Sequence, residues 1–445
     1  MRLILLAATL ACVTQVAWGA NLSSIYQLAR ANDATYATAL QAYQAGLEQL
    51  PQGRALLRPT VSLAGNVNHV DTQSSLVGYS QTSDPYGFSL SLTQPLYRKQ
   101  NLEAYEQAKL QVLQAEQTLT VAEQDLLLRV ARAYFDVLQA QDVLATARGQ
   151  KQAFAEQLAQ ARKSFEVGAA TITDTHEAQA RYDLTTAQEI AGQNDLEVKK
   201  RALEKIVNQE APPLALLNEQ ARMRLPEPNN MDAWVKQAEA DSLAVALGRT
   251  AREAARREVD KQKGGHLPTL DLKASYGDNR GQTLGNTSSV ATQTGSIGLE
   301  FVLPLYQGGA ISSRVREASA NLEKARHELD NARRQATLDA RQAYLGVLSG
   351  NAQVQALEQA LVSSEAQLKS TKLGLEVGVR TGVDVLNAQQ QVYTTRKDLA
   401  AARYQTLIAG LTLKAAAGAL HESDLKALDA LLVDIGADRV RDSAP

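Results

Sequence analysis

The chain has 445 residues, 44% of them hydrophobic and 5% aromatic, with 46 basic against 48 acidic side chains. That length suffices for two domain-sized units or one long duplicated one, and the near-balanced charge shows no basic excess that would point to nucleic acid. Abundant alanine, glutamine and leucine favour long helices packed closely through small side chains.

The first element, MRLILLAATLACVTQVAWGA, reads as a secretory signal over residues 1–19. Arg2 supplies the positive end, Leu3 to Val13 the apolar stretch, and Ala17 and Gly19 the small residues before cleavage. Such a stretch is too short to span a membrane and stay there. The single cysteine, Cys12, lies inside it, as an ordinary apolar position or as an acylation site. The exported chain is therefore expected to use neither disulfides nor thiol chemistry. No later stretch is long and apolar enough for a transmembrane helix.

A first repeat is expected over 20–211, opening on a helix. Val61, Leu63 and Val67 then alternate with Ser62, Ala64, Asn66 and Asn68. Tyr86, Phe88, Leu90 and Leu92 alternate with Gly87, Ser89, Ser91 and Thr93. Period two predicts a strand pair over about 59–97 with one apolar and one polar face. Each strand has the length, roughly ten residues, that crosses a bilayer when tilted. The stretch DTQSSLVGYSQTSD between them reads as a solvent loop.

No proline lies between Pro95 and Pro212, so helices can be long there. Leu119, Ala122, Leu126, Val130, Ala133, Val137, Ala140 and Leu144 step by three and four, the spacing of a helix-packing seam. A helix from about Asn101 to Phe165 would be roughly 100 Å long, which demands a bundle or a tube. The hairpin is expected over about 100–208 with its tip near 168–171. There SFEVGAATITDTH places Gly168 where a left-handed residue ends a helix. Thr171 follows as an N-cap and Asp174 as its capping-box partner.

Pro212, Pro213, Pro226 and Pro228 punctuate a link over 212–230, and the pattern then recurs over 231–420. LPTLDL at Leu267 answers RPTVSL at Arg58, LPLY at Leu303 answers QPLY at Gln94, and ARQAYLGVL at Ala340 answers ARAYFDVL at Ala131, at offsets of 209 or 210. The second strand pair, about 268–305, alternates Leu270, Leu272, Ala274 and Tyr276 with Asp271, Lys273 and Ser275, and Ile297, Leu299, Phe301 and Leu303 with Gly298, Glu300 and Val302. Its hairpin, about 309–418, holds a matching seam from Leu329 to Val354. GLEVGVRTGVDVL turns it near 378–381, with Gly378, Thr381 and Asp384 each 210 residues after their twins. A short segment, 421–445, closes the chain.

Four amphipathic strands cannot close a membrane barrel, whose smallest examples have about eight, and an open sheet edge is not tolerated in lipid. Two chains would give eight strands around a filled interior; three would give twelve and room for a passage. Three is the expectation.

The segments GHLPTLDLKASYG, LPLYQGG, ARAYFDVLQAQDVL, FEVGAATITD and VGVRTGVDVLNA, with the order of the pieces, resemble the TolC family of outer-membrane channel proteins over nearly the whole mature chain. The resemblance implies a membrane α+β fold of two tandem structural repeats. It implies a homotrimer whose twelve-stranded outer-membrane β-barrel, four strands per chain, continues into a long periplasmic α-helical barrel. It implies an exit channel of a tripartite export system for drugs or secreted proteins. The partners would be a periplasmic adaptor, an inner-membrane transporter of ABC, RND or MFS type, and outer-membrane lipid, with no cofactor.

By the same resemblance Val167, Gly168 and Thr171, with Val377, Gly378 and Thr381, form the tips where the adaptor docks. Arg380, Thr173 and Asp174 match the family's gate lock, and Asp384 and Asn387 its periplasmic constriction. Leu375 stands where a well-characterised member has a tyrosine of that lock, and Asn387 where it has an aspartate.

Two other classes compete. For an enzyme, His69, His176, His266, His327 and His421 are scattered without metal-ligand spacing, and Gly264-Gly265 and Gly308-Gly309 read as turns, not phosphate loops. A soluble periplasmic coiled-coil scaffold or adaptor would explain the helices but not four membrane-length strands.

Overall fold

The structure is a computed structural model and describes residues 19–74, 79–168, 170–218, 220–282 and 288–433. The signal segment through residue 18, with Cys12, lies outside the described residues, as does 434–445. In chain order the elements are α1 (Leu22–Asn32), α2 (Ala34–Leu47), α3 (Gln49–Ala55), β1 (Thr60–Val67), β2 (Val70–Ser74), β3 (Tyr79–Ser83), β4 (Tyr86–Tyr97), α4 (Lys99–Glu166) and α5 (Ile172–Val207). There follow β5 (Leu216–Leu217), α6 (Met231–Asp241), α7 (Leu243–Lys263), a 3-10 turn at Gly264–His266, β6 (Thr269–Gln282), β7 (Ser289–Val302), α8 (Ala310–Glu376), α9 (Gly382–Ala416), α10 (Glu422–Asp429) and β8 (Leu432–Val433). No described helix is long and apolar enough to cross a membrane.

The chain divides into two compact units. The first, Ala39–Leu119 with Leu243–Arg333, holds an antiparallel four-stranded sheet of order β1-β4-β6-β7. Period-two alternation makes the central cross-strand rows uniform. Val61, Leu92, Ala274 and Ile297 stand in one row, and Ser62, Ser91, Ser275 and Ser296 in the next. Along the serine row the hydroxyls bond in pairs, Ser62 to Ser91 at 2.7 Å and Ser275 to Ser296 at 2.8 Å. Lys273 and Glu300 pair on the same polar face at 2.7 Å. The β4–β6 ladder joins the two expected strand pairs into one sheet.

The segment read as a solvent loop needs correction. Val70–Ser74 and Tyr79–Ser83 pair as a two-stranded hairpin, with Val70 opposite Ser83. Its few apolar residues hid it, because backbone pairing rather than a buried face holds it together. Where β4 hands over to α4, Arg98 grips the carboxylate of Asp271, by Nε at 2.8 Å and by a second bond from Nη2. Asp271 is buried, and α7 adds Arg257 to the equally buried Glu103.

The second unit comprises the chain up to Thr38, Thr120–Ser242 and from Arg334 onward. The expected seam on α4 buries Leu126, Val130, Val137, Ala140 and Leu144. Alanine spacing alone did not reveal a second buried stripe, Leu127, Ala131, Tyr134, Phe135 and Leu138. Here α4 is enclosed on two sides. The Tyr134 hydroxyl donates to the carbonyls of Ala20 and Ala215, at 3.1 and 2.8 Å, and Phe135 stacks on Tyr404 at 5.8 Å. The α8–α9 hairpin closes on Trp234 of α6 through Tyr344, Val347, Leu413 and Ala417.

Candidate functional site

Both helix hairpins end in the same turn, for the same local reasons. Gly168 has φ +76° and Gly378 φ +77°, a left-handed conformation that side chains with a Cβ resist. The outgoing chain folds back on the helix end: Ala170 N–H donates to Ser164 O at 3.2 Å, and Arg380 N–H to Gly374 O at 3.1 Å. Each next helix then opens on a complete capping box. Thr171 N–H donates to Asp174 Oδ2 at 3.0 Å while Asp174 N–H donates to Thr171 Oγ1 at 3.2 Å. Thr381 and Asp384 repeat this at 2.9 and 3.2 Å.

At the apex the chain exposes what a folded interior would hide. Val167, Val377 and Val379 are 79%, 65% and 75% exposed. Thr173 is exposed on the first turn of α5, and Leu375 is half-buried at the end of α8.

Three of the expected site residues come together. Arg380, Asp384 and Asn387 line one polar groove between α8 and α9, facing Ser364, Gln367 and Thr371. The Asp384 carboxyl is held below the ordinary carboxylate range, first by the Thr381 backbone N–H, then by the Thr381 hydroxyl and the Arg380 charge. Thr173 and Asp174 belong to the other hairpin's tip. Within one chain the described residues show no hydrogen bond from Arg380 to either, and Asp174 is engaged in its own cap.

Two contributing residues escaped the sequence reading. Gly374 is one: a Cβ there would lie 2.6 Å from Arg380 Cγ, so its absence lets the arginine stem fold over the helix end. The signal was available, since the twin position is Ser164. Arg181 is the other. Its Nη2 donates to Asn387 Oδ1 at 3.1 Å, from α5 of one hairpin to α9 of the other.

Residues 25–209 and 234–419 each match the outer membrane efflux protein family. The chain belongs to that family. Among its relatives it is 32% identical to the outer membrane protein TolC of Vibrio cholerae, over 95% of this chain and 96% of that one. It is 33% identical to the alkaline protease secretion protein AprF of Pseudomonas aeruginosa, over 96% of this chain and 91% of that one. Its fold is also that of the Campylobacter jejuni CmeC outer membrane channel, at a TM-score of 0.79 and 17% identity, covering 92% of this chain and 89% of the other. The fold is thus the membrane α+β architecture of two tandem repeats that the sequence led one to expect.

Proposed function

We propose that three copies of this chain form an outer-membrane exit channel, passing drugs or secreted proteins from an inner-membrane transporter and a periplasmic adaptor to the exterior. The observation that carries this reading is the sheet. Its order leaves β1 and β7 as edges with no neighbour among the described residues. Unpaired backbone groups cannot face lipid. Pairing β7 of one copy with β1 of the next removes the edges, and three copies give a twelve-stranded barrel with room for a passage. The apolar row through Val61, Leu92, Ala274 and Ile297 would then face lipid and the serine row the lumen. Relatives named for protease secretion and for efflux support a cargo of either kind.

The tips are assigned to docking. Val167, Gly168 and Thr171, with Val377, Gly378 and Thr381, form two like turns on which Val167 and Val377 stand exposed, the kind of apolar surface that marks a protein contact. Threefold symmetry would turn Asp384 and Asn387 into rings at the periplasmic constriction. Arg380 would reach Thr173 or Asp174 of an adjoining hairpin and hold the entrance closed through charge-assisted hydrogen bonds; Leu375 offers no hydroxyl to that lock. The two-repeat division at the 212–230 link supplies the two unequal hairpins this needs.

Fractionation tests the reading against a soluble periplasmic scaffold. The protein should sediment with outer membranes and run as a detergent-resistant trimer until heated. Recovery in the soluble periplasmic fraction would overturn it.

A further inference from the structure

The contacts between the two hairpins near their tips are graded in burial. Phe154 and Leu158 of α4, Ala178 of α5 and Leu386 of α9 form an apolar cluster shared by both hairpins. Farther from the tips, Tyr393 Oη donates to Gly149 O at 3.0 Å and Tyr404 Oη to Asp142 Oδ2 at 2.6 Å. Tyr404 is buried, whereas Asn387 is exposed. Arg181 lies one turn after Ala178, and Asn387 directly follows Leu386. Their 3.1 Å hydrogen bond therefore sits on the solvent rim of the shared cluster.

The guanidinium has a second partner. Glu177 Oε1, four residues earlier on the same helix, lies 3.7 Å from Arg181 Nη2. If the hairpins part, the cation keeps a carboxylate on its own helix and loses only a neutral amide. Such a contact costs little to break and re-forms without a search, as a latch requires. Breaking the Tyr404–Asp142 bond would strand the hydroxyl of the buried Tyr404.

We infer that Arg181 and Asn387 form a latch between the α4–α5 and α8–α9 hairpins of each chain, and that opening of the periplasmic entrance releases it first. The inference rests on the channel reading above and adds a within-chain contact to the gate. Asn387 then has two roles, since it also lines the α8–α9 groove. An amide at 387 makes the latch weak. A carboxylate would turn it into an ion pair facing Arg181.

The test is single-channel recording of the purified oligomer in planar bilayers, reading opening frequency apart from the size of the current step. Arg181→Ala and Asn387→Ala should each raise opening frequency, by roughly 1.5-fold to fivefold for a partly exposed charged contact. The double variant should gain no more than either single one. Asn387→Asp should lower opening frequency more when Arg181 is present than in the Arg181→Ala background. Arg181→Gln serves in the same way if the alanine variant fails to assemble. A conducting wild type with unchanged opening in both single variants, or with effects that multiply independently, overturns the latch but spares the channel. A wild-type oligomer that never conducts overturns the channel reading and the latch with it.

Discussion

The Oδ2 atom of Asp384 accepts two hydrogen bonds from Thr381, from the backbone N–H at 2.9 Å and from the hydroxyl at 3.0 Å. The carboxylate proposed to charge the constriction is therefore also the carboxylate that starts α9. Its pKa lies below the ordinary carboxylate value, chiefly because that backbone N–H prefers the ionised form. With the folded value the lower one, the cap's stabilisation is fully present above the ordinary pKa. It is lost as pH falls through the folded value. Cation selectivity at the entrance should accordingly persist on acidification to about pH 4, near the ordinary carboxylate pKa. A selectivity midpoint above about pH 5 would mean that repulsion among three carboxylates outweighs the cap.

Asp384→Ala removes both functions together. Selectivity for cations and block by a trivalent cation should both fall, and the tip should loosen, seen as faster amide exchange over the first turn of α9. Unchanged selectivity and block would remove Asp384 from the constriction.

Substitutions at Gly378 should rank by tolerance of positive φ, because no atom lies within 4 Å of where a Cβ would stand. Asparagine should preserve export, and alanine should weaken it. Valine should cost about 1–2 kcal/mol at the turn, and proline should abolish export while trimers still reach the outer membrane. Export that survives Gly378→Pro would separate this tip from docking.

Neighbouring residues on β7 should respond oppositely to charge. Ile297→Arg puts a cation on the apolar row and should cost roughly 2–4 kcal/mol at the bilayer midplane. Ser296→Arg, on the serine row, should assemble normally. Equal trimer yields from the two variants would reverse or remove the assigned faces.

The contrast between 296 and 297 was legible in the sequence, because alternation in a sheet with two unlike faces leaves a period-two trace. The turns at Gly168 and Gly378 were legible for a related reason: glycine, threonine and aspartate occupy those places through backbone chemistry that a ten-residue window contains. The β2–β3 hairpin was not, since polar residues on both faces leave no alternation to read. Nor was the second buried stripe of α4. Tyr134 and Phe135 are enclosed by elements far away in sequence: Ala20 and Ala215 for Tyr134, Tyr404 for Phe135. The Arg181–Asn387 contact joins two repeats, and neither residue type signals a partner alone.

Breaking the Arg98–Asp271 pair should show what a buried carboxylate costs when stranded. Asp271 is 3% exposed while Arg98 is 38% exposed, so Arg98→Ala should destabilise the assembly by about 1–3 kcal/mol. Adding Asp271→Asn to Arg98→Ala should recover part of that loss. Thermal dissociation of the oligomer on unheated gels would compare them; no recovery in the double variant would contradict the account.

In the proposed channel, four strands per chain close only as a threefold assembly. Native mass spectrometry of the protein extracted from outer membranes measures this directly. The result expected is a complex of three chains. A complex of two would mean an eight-stranded barrel with a filled interior, and a single chain from the soluble fraction would mean no barrel; either would contradict the account.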